Sequence, residues 1–221
     1  MMSPYKTMRW EKNGWMNYSF PACLTWLEHA GQKRYGMHFK VQTKDHGVLY
    51  KLLVYAIGDK ENMIRLGLNP DKGLLVVGPV GCGKTSLMYL LNNFFPKEKR
   101  YIIHSSREIT FSFVQQGYQL ISKYTTSSYQ FLSNNYCPKV YCFDDVGVER
   151  PVHYFGNECN VMAEILLSRY DHFVNRKMLT HLTSNLSASE LERIYGNRLR
   201  SRMREMFNLI SFDKQVGDKR Q

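Results

Sequence analysis

The chain has 221 residues, 43% of them hydrophobic and 22% charged. That length and mix suit one large α/β domain and exclude both a disulfide miniprotein and wholesale disorder. Thirty Lys and Arg against nineteen Asp and Glu leave a formal charge of +11, spread along the whole chain, which favours a polyanionic partner such as nucleic acid.

Residues 1–45 are rich in aromatic side chains (Trp10, Trp15, Tyr18, Phe20, Trp26, Tyr35, Phe39) without sustained periodicity, and read as a small extension packed on the main domain. Pro4, Lys6, Arg9, Glu11 and Lys12 interrupt the start, so no signal peptide is expected. His46 to Gly58 reads as a helix. Its richest apolar run, Val48 to Ile57, carries Lys51 and falls well short of the roughly twenty residues that a membrane span needs. Asn69-Pro70-Asp71-Lys72-Gly73 has turn chemistry. From there a regular alternation begins. Leu74–Val77, Tyr101–Ile103, Val140–Phe143, Met178–Thr183 and Leu209–Phe212 suit buried strands, with helical stretches near 84–94, 105–123, 157–175 and 187–206 between them. Alternating strands and helices predict a parallel sheet covered by helices over residues 46–212. Ser187-Ala188-Ser189-Glu190 has capping-box spacing for the last helix, and residues 213–221 form a polar, frayed tail. Five cysteines without a C-x-x-C pair read as reduced thiols in a cytoplasmic protein.

The apolar run Leu74–Val77 leads into Gly78-Pro79-Val80-Gly81-Cys82-Gly83-Lys84-Thr85, which is G-x-x-x-x-G-K-[ST] between a strand and a helix. Glycines let backbone N–H groups curl around phosphate oxygens, and the helix that follows adds favourable partial charge. Lys84 suits the β- and γ-phosphates of ATP, the Thr85 hydroxyl suits Mg2+, and Ser86 follows on the same helical turn. Cys82 lies inside this loop and reads as an inert thiol.

A second apolar strand, Val140-Tyr141-Cys142-Phe143, ends in Asp144 and Asp145. Strand C-termini line the ligand crevice of a parallel sheet, so Asp144 is the candidate for holding Mg2+ and Asp145 for orienting or deprotonating the attacking water. Asn185, past the tip of the strand 178–183, is the candidate for holding that water. His104, His153, His172 and His181 show no metal-ligand spacing with the cysteines. Ser105-Ser106-Arg107, Lys123-Tyr124 and Arg150 suit a DNA path, with Tyr124 stacking on a base. In Arg198-Leu199-Arg200-Ser201-Arg202-Met203-Arg204 the helical period gathers Leu199, Met203, Met206 and Phe207 into an apolar stripe, flanked by Arg198 and Arg202 on one side and Arg200 and Arg204 on the other. One pair suits an arginine finger on a neighbouring subunit's γ-phosphate, the other DNA phosphates.

Together the segments 78–85, 143–149 (Phe-Asp-Asp-Val-Gly-Val-Glu), 182–186 (Leu-Thr-Ser-Asn-Leu) and 196–203 (Gly-Asn-Arg-Leu-Arg-Ser-Arg-Met) resemble the AAA+ ATPases, and within them the DnaC/IstB-like branch of helicase loaders and transposition helpers. The resemblance covers about residues 70–212. It implies a five-stranded parallel sheet in the order 5-1-4-3-2, no C-terminal helical lid, and ATP with Mg2+ bound between subunits of a nucleotide-dependent homo-oligomer. It assigns Walker A to 78–85, Walker B to Asp144 and Asp145, sensor 1 to Asn185, and the finger to Arg202 or Arg198. It implies action on DNA together with a helicase or transposase client. Many AAA+ proteins carry Glu at the position of Asp145, and Glu149 is an alternative carboxylate. Two other readings stay open: a nucleotide-gated binding module with negligible hydrolysis, and a P-loop kinase for a small molecule.

Overall fold

The computed structural model describes residues 4, 8–12, 15–132, 134–213 and 219. The chain divides into two compact units, residues 1–70 with 79–100 and 210–221, and residues 71–78 with 101–209.

In the first unit, strands β1 (Arg9–Lys12) and β2 (Trp15–Tyr18) form an antiparallel hairpin. Helix α1 (Phe20–Tyr35) follows, with the Ser19 hydroxyl accepting the Ala22 amide, Pro21 in the first turn and Lys33 and Arg34 in the last. No helix is expected there from the sequence, because its buried positions are only Cys23, Leu27 and Gly31, one narrow stripe four residues apart. Gly31 is a glycine of necessity, since a Cβ would lie 2.2 Å from the Phe39 ring. Helix α2 (His46–Ile57) matches expectation and buries every residue from Leu52 to Ile57. A short helix α3 (Lys60–Arg65) is capped by the Asp59 carboxylate on the Asn62 amide. Edge-on contacts of Trp26 with Phe94 (5.1 Å) and Tyr55 with Phe95 (5.9 Å) fasten this layer to the segment after helix α4 (Lys84–Leu91).

The second unit is built on a five-stranded parallel sheet of β3 (Gly73–Val77), β4 (Tyr101–Ser105), β7 (Val140–Asp144), β10 (Thr180–Ser184) and β11 (Phe207–Ser211), the last two residues of β11 belonging to the first unit. The order is β11-β3-β10-β7-β4, which is 5-1-4-3-2 among the sheet strands, as expected. All five residues of β3, β7 and β10 are buried, the mark of strands covered on both faces. At the start of β3 only glycine fits, because a Cβ on Gly73 would lie 1.6 Å from the Thr180 carbonyl oxygen. Helices α5 (Ser106–Gln116), α6 (Tyr118–Tyr124), α7 (Val161–Arg176) and α8 (Ala188–Met206) supply Phe113, Leu120, Leu166 and Leu199 to one core with Leu75, Phe143 and Leu182.

Three features of the second unit differ from expectation. The helix expected over 105–123 breaks at Gly117, whose φ of +56° is left-handed and where a Cβ would lie 2.1 Å from the Tyr154 hydroxyl. Two hairpins, β5–β6 (Tyr129–Leu132 with Asn135–Pro138) and β8–β9 (Val152–Tyr154 with Asn157–Cys159), occupy stretches too short for periodicity to reveal. The second displaces the start of α7, so that Asn160 caps it on the Ala163 amide. Tyr124 does not face a DNA path. It is buried, with its ring 5.3 Å from Tyr141 and 5.8 Å from Phe143. In α8 the capping box forms, with the Ser187 amide donating to the Glu190 carboxylate (2.7 Å) and the Glu190 amide to the Ser187 hydroxyl (3.3 Å), before the helix bends at Gly196. The expected frayed tail lies outside the described residues apart from Asp213 and Lys219.

Arg169 of α7 is fully buried, and nothing in the sequence singles it out. Its guanidinium donates to the Thr180 hydroxyl (2.7 Å) and to the carbonyls of Tyr124 (2.7 Å), Leu179 (2.7 Å) and Lys139 (3.2 Å), and lies over the Tyr141 and Phe143 rings. Burial lowers its pKa to about 9, because the surrounding acceptors replace water only in part.

Candidate nucleotide site

The phosphate loop begins where β3 ends. The Gly78 amide donates to the Ser184 carbonyl (3.3 Å), which ties the first loop residue to the end of β10. Pro79 to Cys82 make a tight turn closed by the Cys82 amide on the Pro79 carbonyl (3.4 Å). Gly81 and Gly83 have φ of +79° and +96°, a conformation that a side chain resists. Helix α4 starts at Lys84 with Gly83 as its cap, and its first turn holds no acidic residue to cancel the positive end of the dipole. Thr85 and Ser86, half-buried, follow in that turn. Lys84 is only 4% exposed, and its ammonium folds back onto the loop, donating to the Pro79 carbonyl (2.9 Å) beside Cys82 Sγ (3.7 Å). The Cys82 thiol is fully buried. Val80 is the loop's exposed apolar side chain.

In the second unit the two aspartates are held by β10. Asp144 is the last residue of β7, in register with Ser105 of β4, and is nearly buried. The Thr183 hydroxyl donates to Asp144 Oδ1 (2.5 Å) and accepts from the Asp145 amide (2.9 Å). Asp145 adopts a φ of +55°, which Asp tolerates better than most residues. Its carbonyl accepts the Ser106 hydroxyl (2.8 Å), and its Oδ1 accepts the Asn185 amide nitrogen (3.2 Å). Beyond it the Val146 amide donates to the Thr183 carbonyl (2.9 Å), and the Ser184 hydroxyl to the Val146 carbonyl (2.6 Å). The structure thus brings Asp144, Asp145 and Asn185 together through Thr183. Ser106, expected on a DNA path, is instead a buried support for Asp145. Thr183 and Ser184 carry a legible signal in retrospect: hydroxyls in a strand whose every residue is buried must bond to something.

Glu149 is not an open carboxylate. It is buried, accepts from the Gly147 amide (2.9 Å) and from the Tyr195 hydroxyl, and so fastens the loop after Asp145 to α8. Burial and the Glu149 charge push the Tyr195 phenol upward. On α8 the apolar stripe is as expected, with Leu199, Met203 and Met206 buried. The Arg202 guanidinium lies over the Tyr170 ring at 4.8 Å, and the Tyr170 hydroxyl donates to Glu205 (2.9 Å). Arg200 pairs with Glu192, while Arg198 and Arg204 are exposed. His181 is internal, its Nδ1 accepting the Leu74 amide (3.1 Å). No described helix is long and apolar enough to cross a membrane.

No protein-family model and no curated protein matches this chain. Solved structures do. The crystal structure of the DnaC helicase loader aligns over 78% of this chain and 92% of its own, at 20% identity and a TM-score of 0.51. The crystal structure of DnaI aligns over 81% and 88%, at 18% identity and a TM-score of 0.51. A DNA replication initiation factor aligns over 79% of this chain but 48% of its own, at 19% identity and a TM-score of 0.50. At such identities the likeness is one of fold. The chain shares with the DnaC helicase loader a mixed α/β fold built on a five-stranded parallel sheet.

Proposed function

We propose that this chain is a cytoplasmic AAA+ ATPase that binds Mg·ATP, forms nucleotide-dependent homo-oligomers, and acts on DNA with a helicase or transposase client, as a helicase loader or transposition helper. The observation that carries the nucleotide reading is the loop 78–85, with two left-handed glycines opening directly onto a helix that begins with a nearly buried lysine. The loop from Gly78 to Ser86 would cradle the phosphates, and Lys84 would supply a positive charge to the β- and γ-oxygens. Thr85 and Asp144 are hard oxygen donors of the kind that Mg2+ takes, and they would hold it. When bound, the ion neutralises charge on the phosphate oxygens. Asp145 orients and deprotonates the attacking water. The Asn185 amide bonds the Asp145 carboxylate and is the proposed holder of the same water. The fold it shares with the DnaC helicase loader and with a DNA replication initiation factor supports a replication setting, and the +11 charge supports DNA. A nucleotide-gated module without turnover is the second reading, favoured by Asp145, whose side chain is one methylene shorter than Glu.

Arg202, with Arg198 beside it, is the proposed finger for the γ-phosphate of a neighbouring subunit. In Arg202→Ala, ATP affinity is expected to stay within about twofold while turnover falls about a thousandfold, the scale that such an arginine supplies. Equilibrium binding and steady-state phosphate release, run on the same preparation, check this. Undiminished turnover removes Arg202 from the role.

A further inference from the structure

The β5–β6 hairpin presents aromatic rings that the core does not use. Register sets Tyr129 opposite Pro138 and Phe131 opposite Tyr136, so Tyr129, Phe131, Tyr136 and Pro138 share one face. Tyr129 and Tyr136 are stacked at 5.1 Å and 15°, and Phe131 lies 6.3 Å from Tyr136. Phe131 is 75% exposed and Tyr136 67%, a large cost in water for residues that support nothing beneath them. The ladder is nevertheless fixed at its base. The Tyr129 hydroxyl bonds His172 Nδ1 of α7 (3.2 Å), and the Lys139 amide donates to the Ser128 carbonyl (2.9 Å).

Cations outnumber acids around the hairpin, where exposed Asp171 precedes His172 on α7. From Glu108 to Asp144 the chain carries no acidic residue between those two, while it carries Lys123 and Lys139. Arg176, exposed, stands one helical turn beyond His172, and Lys177 follows it. Ring faces beside a surplus of cations (Lys123, Lys139, Arg176 and Lys177 against Asp171) match the two parts of a nucleic-acid strand, its bases and its phosphates.

We propose that this hairpin face binds unpaired DNA bases, stacking them on Phe131 and Tyr136 while Lys139 and Arg176 meet the flanking phosphates. Duplex DNA hides its base faces within its own stack, so the face selects single strands. The inference rests on the DNA reading above and takes over the stacking role that the buried Tyr124 does not fill.

The test is fluorescence anisotropy of a labelled oligo(dT) at one fixed salt concentration. The Phe131→Ala/Tyr136→Ala double variant is expected to bind at least about tenfold more weakly than the unaltered protein, from the loss of stacking on two rings. Tyr136→Phe keeps the ring and should bind normally, and ATP affinity should not change in either variant. If the unaltered protein binds oligo(dT) and the double variant binds it equally well, the hairpin inference falls and the DNA reading stands. If the unaltered protein binds a duplex but not oligo(dT), the hairpin inference alone falls; if it binds neither, both fall. If sedimentation shows that the double substitution dissolves a self-associated species while oligo(dT) affinity holds, the face belongs to a second copy of the chain and the inference is overturned.

Discussion

Lys84→Ala is expected to reduce ATP affinity at least about a hundredfold, below detection in an ordinary titration. The lysine supplies a full positive charge in a nearly buried setting, where charge-assisted bonds to phosphate are strongest, and a hundredfold corresponds to about 3 kcal/mol. The backbone amides and the α4 N-terminus remain in the variant, but dipoles alone do not replace a monopole against a triphosphate. The fold should survive, because the ammonium bonds a loop carbonyl that can turn to water. Calorimetric titration with ATP checks the affinity, and circular dichroism checks the fold. Lys84→Met, which keeps the aliphatic stem, separates loss of charge from loss of packing. Normal ATP affinity in a folded Lys84→Ala or Lys84→Met protein refutes the phosphate-loop assignment.

Arg169→Met is expected to lower the free energy of unfolding by about 3 kcal/mol or more, with no direct effect on nucleotide contacts. Methionine fills much of the volume and removes the cost of a buried cation. It also leaves the carbonyls of Tyr124, Lys139 and Leu179 and the Thr180 hydroxyl without the donor that now satisfies them, at about 1–3 kcal/mol for each group that finds no other. The acceptors come from the end of α6, the entry to β7 and the entry to β10, so one side chain holds three stretches of chain in place behind the strands that end in Asp144 and Ser184. Arg169→Lys keeps the charge but offers a point donor in place of a fork, and should recover only part of the loss. Urea unfolding of the three proteins measures this. Equal midpoints would show that water or backbone adjustment satisfies those groups.

The parts of the fold legible in the sequence are those carried by contiguous residues. Leu74 to Val77 and Val140 to Phe143 are unbroken apolar runs because β3 and β7 are covered on both faces, and the phosphate loop follows the first of them within the same dozen residues. Ser187 and Glu190 form a cap three residues apart. What escaped reading depends on residues distant in sequence or on too few residues to make a pattern. Helix α1 buries only Cys23, Leu27 and Gly31, and the hairpin strands are three or four residues long. Gly117 looks like any tolerated helical glycine until Tyr154 is seen against it. Arg169 resembles an exposed cation on an amphipathic helix, and its acceptors lie up to 45 residues away. At the candidate site the same division holds. Asp144 and Asp145 stand out at a strand end, whereas the Thr183 hydroxyl that joins them comes from a neighbouring strand 39 residues along the chain from Asp144.

The most direct test of the central claim is ATP hydrolysis by the full chain with and without single-stranded and duplex DNA, at low and moderate salt, beside Lys84→Ala. Turnover that DNA raises, that weakens as salt rises because phosphate contacts release counterions, and that is absent from Lys84→Ala is the predicted result. ATP binding with neither DNA form bound and neither altering turnover would contradict it.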